Sequence, residues 1–339
     1  MVVAAVLFTA TVSAQERRSK ETPRDHVQDV EIPERCLELS AKNCPRFFVT
    51  KIDLVGLDWT RPYVVRRELL FEEGDVATYA EIRESIQRIR NTHIFRKVDF
   101  RVFPATDEID TEIRNARLRI ELDERWTLRP IIQYTRAGGT QRLIVGALDI
   151  NFLGRYLGLG VRYERFGPTN SFYLWGYDPR FLGERLRVGV SAGTTNRLYT
   201  LYDEEGGIEG GFLRRRLEVG AYVRKEWLWW LESYVGLSYL ADDNTLDFVS
   251  DRVRELQVER GGAPEGGHLL LLEIGGSIGR IDEDNYLRDG QLFSVGVDLA
   301  NDAIGSTHDH YSIDFGAEFF RTLPLKSTFG VRAATGFAH

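Results

Sequence analysis

No stretch of this 339-residue chain is apolar for long enough to cross a membrane as a helix, and its mean hydropathy is −0.27. Any crossing of a bilayer therefore falls to strands. Positive charge is also lacking: the formal net charge is −7, which gives no reason to expect a nucleic-acid partner. Cysteine is scarce, with Cys36 and Cys44 alone. Two thiols without a nearby histidine cannot make a zinc site. They close a loop short enough to bridge, stiffened at its exit by Pro45. In an oxidising compartment the expected product is a structural disulfide, the alternative being two unpaired buried thiols.

What the chain does have is a repeated pattern. From Thr127 onward, runs of about ten residues are apolar at every second position and close on Gly, Asn, Asp or Pro. Leu157, Leu159, Val161 and Tyr163 alternate with Gly158, Gly160, Arg162 and Glu164. The same rhythm sets Leu186, Val188, Val190 and Ala192 against Arg187, Gly189 and Ser191, and later Tyr311, Ile313, Phe315 and Phe319 against Ser312, Asp314, Gly316 and Glu318. Side chains alternate across a strand, so each run has an oily face and a polar face with charge in its middle.

A soluble sandwich would alternate in a similar way. Three features favour a transmembrane barrel. Glycine is frequent on the polar face (Gly158, Gly160, Gly189, Gly220, Gly236, Gly275, Gly279, Gly296, Gly316), where it lets a sheet curve and leaves room inside. Aromatics gather near strand ends, as in Tyr173, Trp175, Tyr177, Trp227, Trp229, Trp230, Phe319 and Phe320, which suits rings at a headgroup boundary. Connections alternate in length: 151–156, 178–184, 225–229 and 322–327 are short, whereas 194–213 and 241–267 are long and polar. The Arg214, Arg215, Arg216 cluster reads as a loop-to-strand junction at the membrane surface.

The rest of the chain divides into three parts. Residues 1–14 read as an export signal: Val2–Val12 is apolar and Val12-Ser13-Ala14 supplies small residues for cleavage, although no Lys or Arg precedes it. Residues 15–46 form a charged, aperiodic leader that holds the two cysteines. Residues 47–126 have a different rhythm: a strand over 47–56, a helix opened by Thr60-Arg61-Pro62 with Thr60 as its cap and ended by Glu73-Gly74-Asp75, then a second helix. Thr78 and Glu81 make a capping box for it, and Ile82, Ile86 and Ile89 its apolar stripe. Strands through Val98, Phe100, Val102 and through Leu118, Ile120, Leu122 complete the order β-α-α-β-β.

These residues carry a resemblance. The run Val49–Gly56, followed by Val64–Leu69, Glu73-Gly74-Asp75 and Ile94–Val98, resembles a POTRA domain. Asn151-Phe152-Leu153-Gly154 and Tyr177-Asp178-Pro179-Arg180-Phe181-Leu182-Gly183 are similar to the periplasmic turns of barrels in the BamA/TamA insertase superfamily, and Tyr286–Gly290 resembles that family's turn before a late strand. The resemblance implies an α+β POTRA domain in the periplasm, followed by an all-β antiparallel barrel of the outer membrane. Family barrels have sixteen strands, of which about eleven are visible, and only one POTRA-like unit precedes them. The family's sixth extracellular loop with its Arg-Gly-Phe or Arg-Gly-Tyr motif would begin near Gly336-Phe337-Ala338-His339, so the chain reads as a truncated barrel.

The function that the resemblance implies is insertion or translocation of unfolded outer-membrane or secreted polypeptides by strand addition. One edge would be the first barrel strand, with Arg129, Ile131, Ile132, Gln133 and Tyr134, where Pro130 removes a donor. The other would be the POTRA edge through Val98, Phe100, Val102 and Phe103, whose alternative reading is a plain sheet margin. Lipids and periplasmic accessory proteins are further expected partners, and no cofactor, metal or nucleic acid is called for. Gly189-Val190-Ser191-Ala192-Gly193 and Gly275-Gly276-Ser277-Ile278-Gly279 match a nucleophile elbow, but both fall inside alternating runs with no helix after them. His308-Asp309-His310 reads as a solvated loop. The competing readings are a two-partner secretion pore, a passive porin with no use for a POTRA domain, and a lipase-linked relative, for which the leader is too short.

Overall fold

A computed structural model describes residues 3–11, 46–104, 113–137, 140–284, 287–324 and 327–338. Cys36, Cys44, most of the 15–46 leader and Tyr286 lie outside these. The small domain contains β2 (Arg46–Val55), α1 (Pro62–Arg66), β3 (Val76–Thr78), α2 (Tyr79–Asn91), β4 (Phe95–Pro104) and β5 (Ile113–Glu124), after an N-terminal strand β1 (Val3–Thr11). Its sheet runs β3-β2-β5-β4, with β2 and β5 parallel and the outer pairs antiparallel.

In this domain α2 forms as its capping residues require, and the segment leading into it differs from expectation. Thr78 accepts from the Glu81 amide while the Glu81 carboxylate accepts from the Thr78 amide, so the capping box is complete. The expected order β-α-α-β-β lacks one element, because three residues before α2 pair with β2 as β3. Helix α1 stops at Arg66, well before the Glu73-Gly74-Asp75 turn. Its N-cap is Arg61, with Pro62 in the first turn, and Thr60 is drawn away from capping by bonds elsewhere.

The large sheet is antiparallel throughout. Its strands are β6 (Leu128–Ala137), β7 (Thr140–Phe152), β8 (Leu157–Phe166), β9 (Thr169–Asp178), β10 (Leu186–Tyr202) and β11 (Ile208–Leu228). The next five are β12 (Leu231–Thr245), β13 (Gly267–Asp284), β14 (Leu287–Ala300), β15 (His310–Leu323) and β16 (Ser327–Ala338). Each of these eleven pairs with its sequence neighbour, and β1 lies against β16, with Val3 opposite Gly336 and Thr11 opposite Thr328. Thus the stretch expected as an export signal is a strand here. Helix α3 (Asp251–Glu259) fills the β12–β13 connection and packs on β11.

Burial separates the two bodies. The apolar core belongs to the small domain: Val49 and Ile52 of β2, Val64 and Val65 of α1, the Ile82, Ile86, Ile89 stripe of α2, and the inward residues of β4 and β5. The large sheet has no counterpart. Its apolar face looks outward, with Val190 58%, Ile278 56% and Phe293 54% exposed, and Leu217, Leu237, Phe315 and Phe337 in the same condition. A sandwich would have buried these side chains against a second layer. Among the described residues, no helix is long and apolar enough to cross a membrane.

The inner face is built differently from expectation. Its glycines are covered by rings from a neighbouring strand: a Cβ on Gly158 would fall 2.1 Å from the Tyr177 ring, and one on Gly160 the same distance from Trp175. Gly189 lies likewise under Tyr222 and Gly275 under Tyr234. Ring and glycine therefore fill one site together, a pairing that offsets the weak strand propensity of glycine. Tyr173, Trp175, Tyr177 and Phe320, expected at a headgroup boundary, belong to this inner face, since they pair with inner-row residues such as Arg162, Gly160, Gly158 and Gly330. Trp227 and Phe319 remain exposed.

Two further expectations are corrected at the far end. Residues 194–213 are mostly strand, since β10 and β11 extend as a hairpin closed by a tight turn at 203–207. Arg214, Arg215 and Arg216 consequently lie inside β11, where Arg216 makes a bidentate pair with Asp242 at 2.7 Å, Arg215 pairs with Asp247, and Arg214 covers the Tyr199 ring. Both G-x-S-x-G runs sit within strands, β10 and β13, as the alternation requires.

If the outer face is solvated by acyl chains, Val190→Arg should cost about 2–4 kcal/mol in liposomes, read from urea unfolding of the reconstituted chain. A value near zero would mean that Val190 faces water. Ile89→Ala, in contrast, should cost about 2–5 kcal/mol in the small domain alone, seen as a shifted near-ultraviolet transition.

Candidate functional site: a free strand edge and a domain junction

Strand β6 ends the large sheet and, among the described residues, pairs only with β7. Register places Arg129, Ile131 and Gln133 on the inner face, and Ile132 and Tyr134 on the outer face, 73% and 63% exposed. Pro130 occupies the third position of this edge. An unpaired row of backbone donors and acceptors therefore runs beside apolar side chains that nothing covers.

The second expected edge is more restricted. Strand β4 does end the small sheet, but Val98, Phe100 and Val102 are buried in the core and only Phe103 is substantially exposed. An incoming strand would meet backbone there, and the Val98 carbonyl already accepts from Arg90 at 2.8 Å.

The two family-like turns turn out to be where the bodies meet. Both follow the pattern Asp-x-x-Phe-Leu-Gly. Asp149 accepts from the Asn151 amide and Asp178 from the Arg180 amide, each at 2.9 Å, and Leu153 and Leu182 adopt positive φ before a glycine that does the same. The first turn docks on the small domain by its backbone: the Arg61 amide donates to the Gly154 carbonyl at 2.8 Å, and the Trp59 ring N–H donates to the Asn151 carbonyl. A Cβ at Gly154 would lie 2.1 Å from the Trp59 carbonyl oxygen, so only glycine permits this approach. Asn151, 1% exposed, also donates to the Thr60 hydroxyl at 2.9 Å, while Phe152 and Leu153 stay partly exposed.

The second turn docks by charge. Arg180 reaches into the small domain and binds both carboxylate oxygens of Glu68 at 2.8 Å, a carboxylate with only 1% of its side chain exposed. Its third nitrogen holds Glu226 of β11 at 3.2 Å. From Glu226 the pairing continues to Arg88 of α2, on to Glu84, then to Arg280 of β13 at 2.7 Å, and through Asp282 to Asn91. Charges from the two bodies thus alternate along one network. Despite burial, its carboxylate partners hold the Arg180 guanidinium well above the ordinary range, whereas burial together with Glu68 pushes the Tyr156 phenol up to about 12.

Asp178, Pro179, Phe181 and Gly183 shape the second turn but do not themselves carry the docking bonds. Glu68, Arg180, Glu226, Glu84 and Arg280 escaped sequence reading. One signal for Glu68 existed: it follows Val64 by four residues, which puts a charge on the buried side of that segment.

No family model matches the chain, and no curated protein matches it by sequence. Solved structures do match. BamA from Haemophilus ducreyi lacking POTRA domains 1–3 aligns with a TM-score of 0.54 at 16% identity, over 86% of this chain and 56% of that one. CdiB from Acinetobacter baumannii aligns with a TM-score of 0.57 at 12% identity, over 86% of this chain and 52% of that one. The chain spans about half the length of these structures. At such identities the likeness is one of fold, and the fold is that of an outer-membrane β-barrel. It is the fold that BamA and CdiB share.

Two outcomes test the junction. Arg180→Ala leaves Glu68 buried without a counter-charge and should destabilise the docked state by about 3–5 kcal/mol, whereas pairing it with Glu68→Leu should recover most of that loss. Thermal melts of the four proteins in one detergent measure this; simple additivity would contradict it. The second concerns His93, whose imidazole burial holds below its ordinary value of 6.5, with Glu283 opposing part of the effect. The folded state then resists a proton that the unfolded chain accepts. Stability from this site is complete above pH 6.5 and falls as pH drops through that value toward the lower folded one. His93→Asn, which tolerates the positive φ at this position, should flatten the fall in melting temperature between pH 7.5 and 5.5.

Proposed function

We propose that this chain acts in the outer membrane on unfolded polypeptides, as an assembly and insertion factor that offers β6 as a template for client strands. The observation that carries the reading is the β6 edge, which among the described residues pairs only with β7 and whose outer residues Ile132 and Tyr134 are 73% and 63% exposed. A client strand laid there would satisfy backbone groups on both sides without any sequence readout, which suits clients of many sequences. Residues 47–126 are read as a POTRA domain on the periplasmic side, held at the short-turn end of the sheet by Trp59–Arg61 and Glu68. Residues 1–14 are assigned as the export signal on sequence grounds. Outer-membrane lipids cover the outer face, and accessory proteins of the periplasm are expected to approach through the small domain.

A second reading has a specific observation in its favour. CdiB, a two-partner secretion pore, gives a TM-score of 0.57, alongside 0.54 for BamA. In that reading the client passes through and is released, whereas in the first it remains in the membrane.

A photo-crosslinking residue at Ile132 or Tyr134 should capture outer-membrane polypeptides in growing cells, while one at Val190, in the middle of the sheet, should capture none. Depletion of the protein should lower the abundance of other barrels in the outer membrane. Equal capture at all three positions with unchanged barrel levels would reject the insertion reading. Loss of a single secreted polypeptide from the medium, with barrel levels intact, would favour the secretion pore.

A further inference from the structure

The ion-pair network at the domain junction encloses a cavity of about 350 Å³ between α2, the second docking turn and the inner ends of β10, β11 and β13. Five guanidiniums line it, from Arg88, Arg180, Arg187, Arg224 and Arg280, against three carboxylates. Four of the five have carboxylate partners. Arg187 does not: among the described residues its guanidinium rests only over the Tyr177 ring, 5.6 Å from the centroid.

Its neighbour makes the imbalance worse. Arg187 and Arg224 are direct cross-strand partners in the β10–β11 ladder, both on the inner face. Like charges opposed in this way repel, and a strand pair does not place them so without a return elsewhere. Arg224 reaches Glu232 with one terminal nitrogen at 3.4 Å and otherwise lies over the Tyr234 ring, 5.3 Å from its centroid. Glu226, another carboxylate on the cavity wall, is already shared among Arg88, Arg180 and Arg185.

We propose that this cavity binds a small oxyanion of the phosphate type between Arg187 and Arg224. A tetrahedral oxyanion would accept from the terminal nitrogens of both guanidiniums at once and cancel the cross-strand repulsion. Ser277, which also faces the cavity, supplies a neutral hydroxyl donor. Because Arg88 and Asn91 of the small domain form the opposite wall, occupancy also ties the two bodies together.

The test is calorimetric titration of inorganic phosphate into the whole chain in a zwitterionic detergent, at ionic strength held constant with sodium chloride. A second arm uses dihexanoyl phosphatidic acid below its micelle concentration. Saturable binding at one site is expected, weakened at least about tenfold by Arg187→Gln or Arg224→Gln, a loss of about 1.4 kcal/mol. Arg332→Gln, on the distant β16, should leave it unchanged. Binding in both arms identifies a free phosphate site, and binding of the lipid alone identifies a headgroup site. If a substituted protein does not fold, the wild-type chain decides by itself: phosphate must raise its melting temperature above that in chloride of equal ionic strength. Absence of saturation up to about 10 mM in both arms, or equal affinity in wild type and both arginine variants, overturns the proposal.

Discussion

The large sheet cannot bury its own apolar face, and everything else about the protein depends on that. The packed hydrophobic cluster is confined to the small domain and its immediate neighbours, whereas Val190, Leu237, Ile278 and Phe293 point away from any protein layer. Each fully buried side chain of this size is worth about 1.5–3 kcal/mol, so a surface of such residues left in water would forgo a large part of the stability of the fold. Acyl chains remove that cost. Strands suit the task because the antiparallel ladder satisfies backbone groups between neighbours, and among the described residues only the two sheet margins remain open.

The inner face obeys a second constraint. Residues there are mostly polar, and the junction is held chiefly by ion pairs and backbone bonds, with Tyr156 of the first turn packed against the small-domain core. One turn contributes the close backbone approach that Gly154 allows, and the other contributes the Arg180 fork on Glu68. A buried pair of this kind adds little net stability over an apolar contact, but it tolerates no misplacement, because each charge is costly when left alone. Orientation of the small domain relative to the sheet is therefore fixed more strictly than its affinity would require. That strictness places the small sheet and the β6 edge in a defined relation.

Much of this was legible in the residues. Period-two alternation located the strands closely, and β8 matches the expected 157–166 run residue for residue because Leu157 and Phe166 are flanked by turn residues. The Thr78 and Glu81 capping box was equally direct. Failures came where a residue type has two physical uses. Tyr173, Trp175 and Tyr177 look like interfacial rings but cover inner glycines, and the polar run 194–213 looks like a loop but pairs as strand, its two arms joined by the tight 203–207 turn with Arg214 over the Tyr199 ring. The junction was invisible for a different reason. Glu68 and Arg180 lie 112 residues apart, and only folding brings them together. No local pattern records such a pair, although a charge at the Val64 helical spacing hinted at one half of it.

Spin labels placed in turn along β10 and β12 of the reconstituted chain would test the central claim most directly. The account predicts accessibility that alternates with a period of two: labels at Val188, Val190, Val235 and Leu237 open to oxygen and shielded from a water-soluble nickel complex, labels at Gly189, Ser191, Gly236 and Ser238 the reverse. Uniform exposure of both rows to the nickel complex would contradict it.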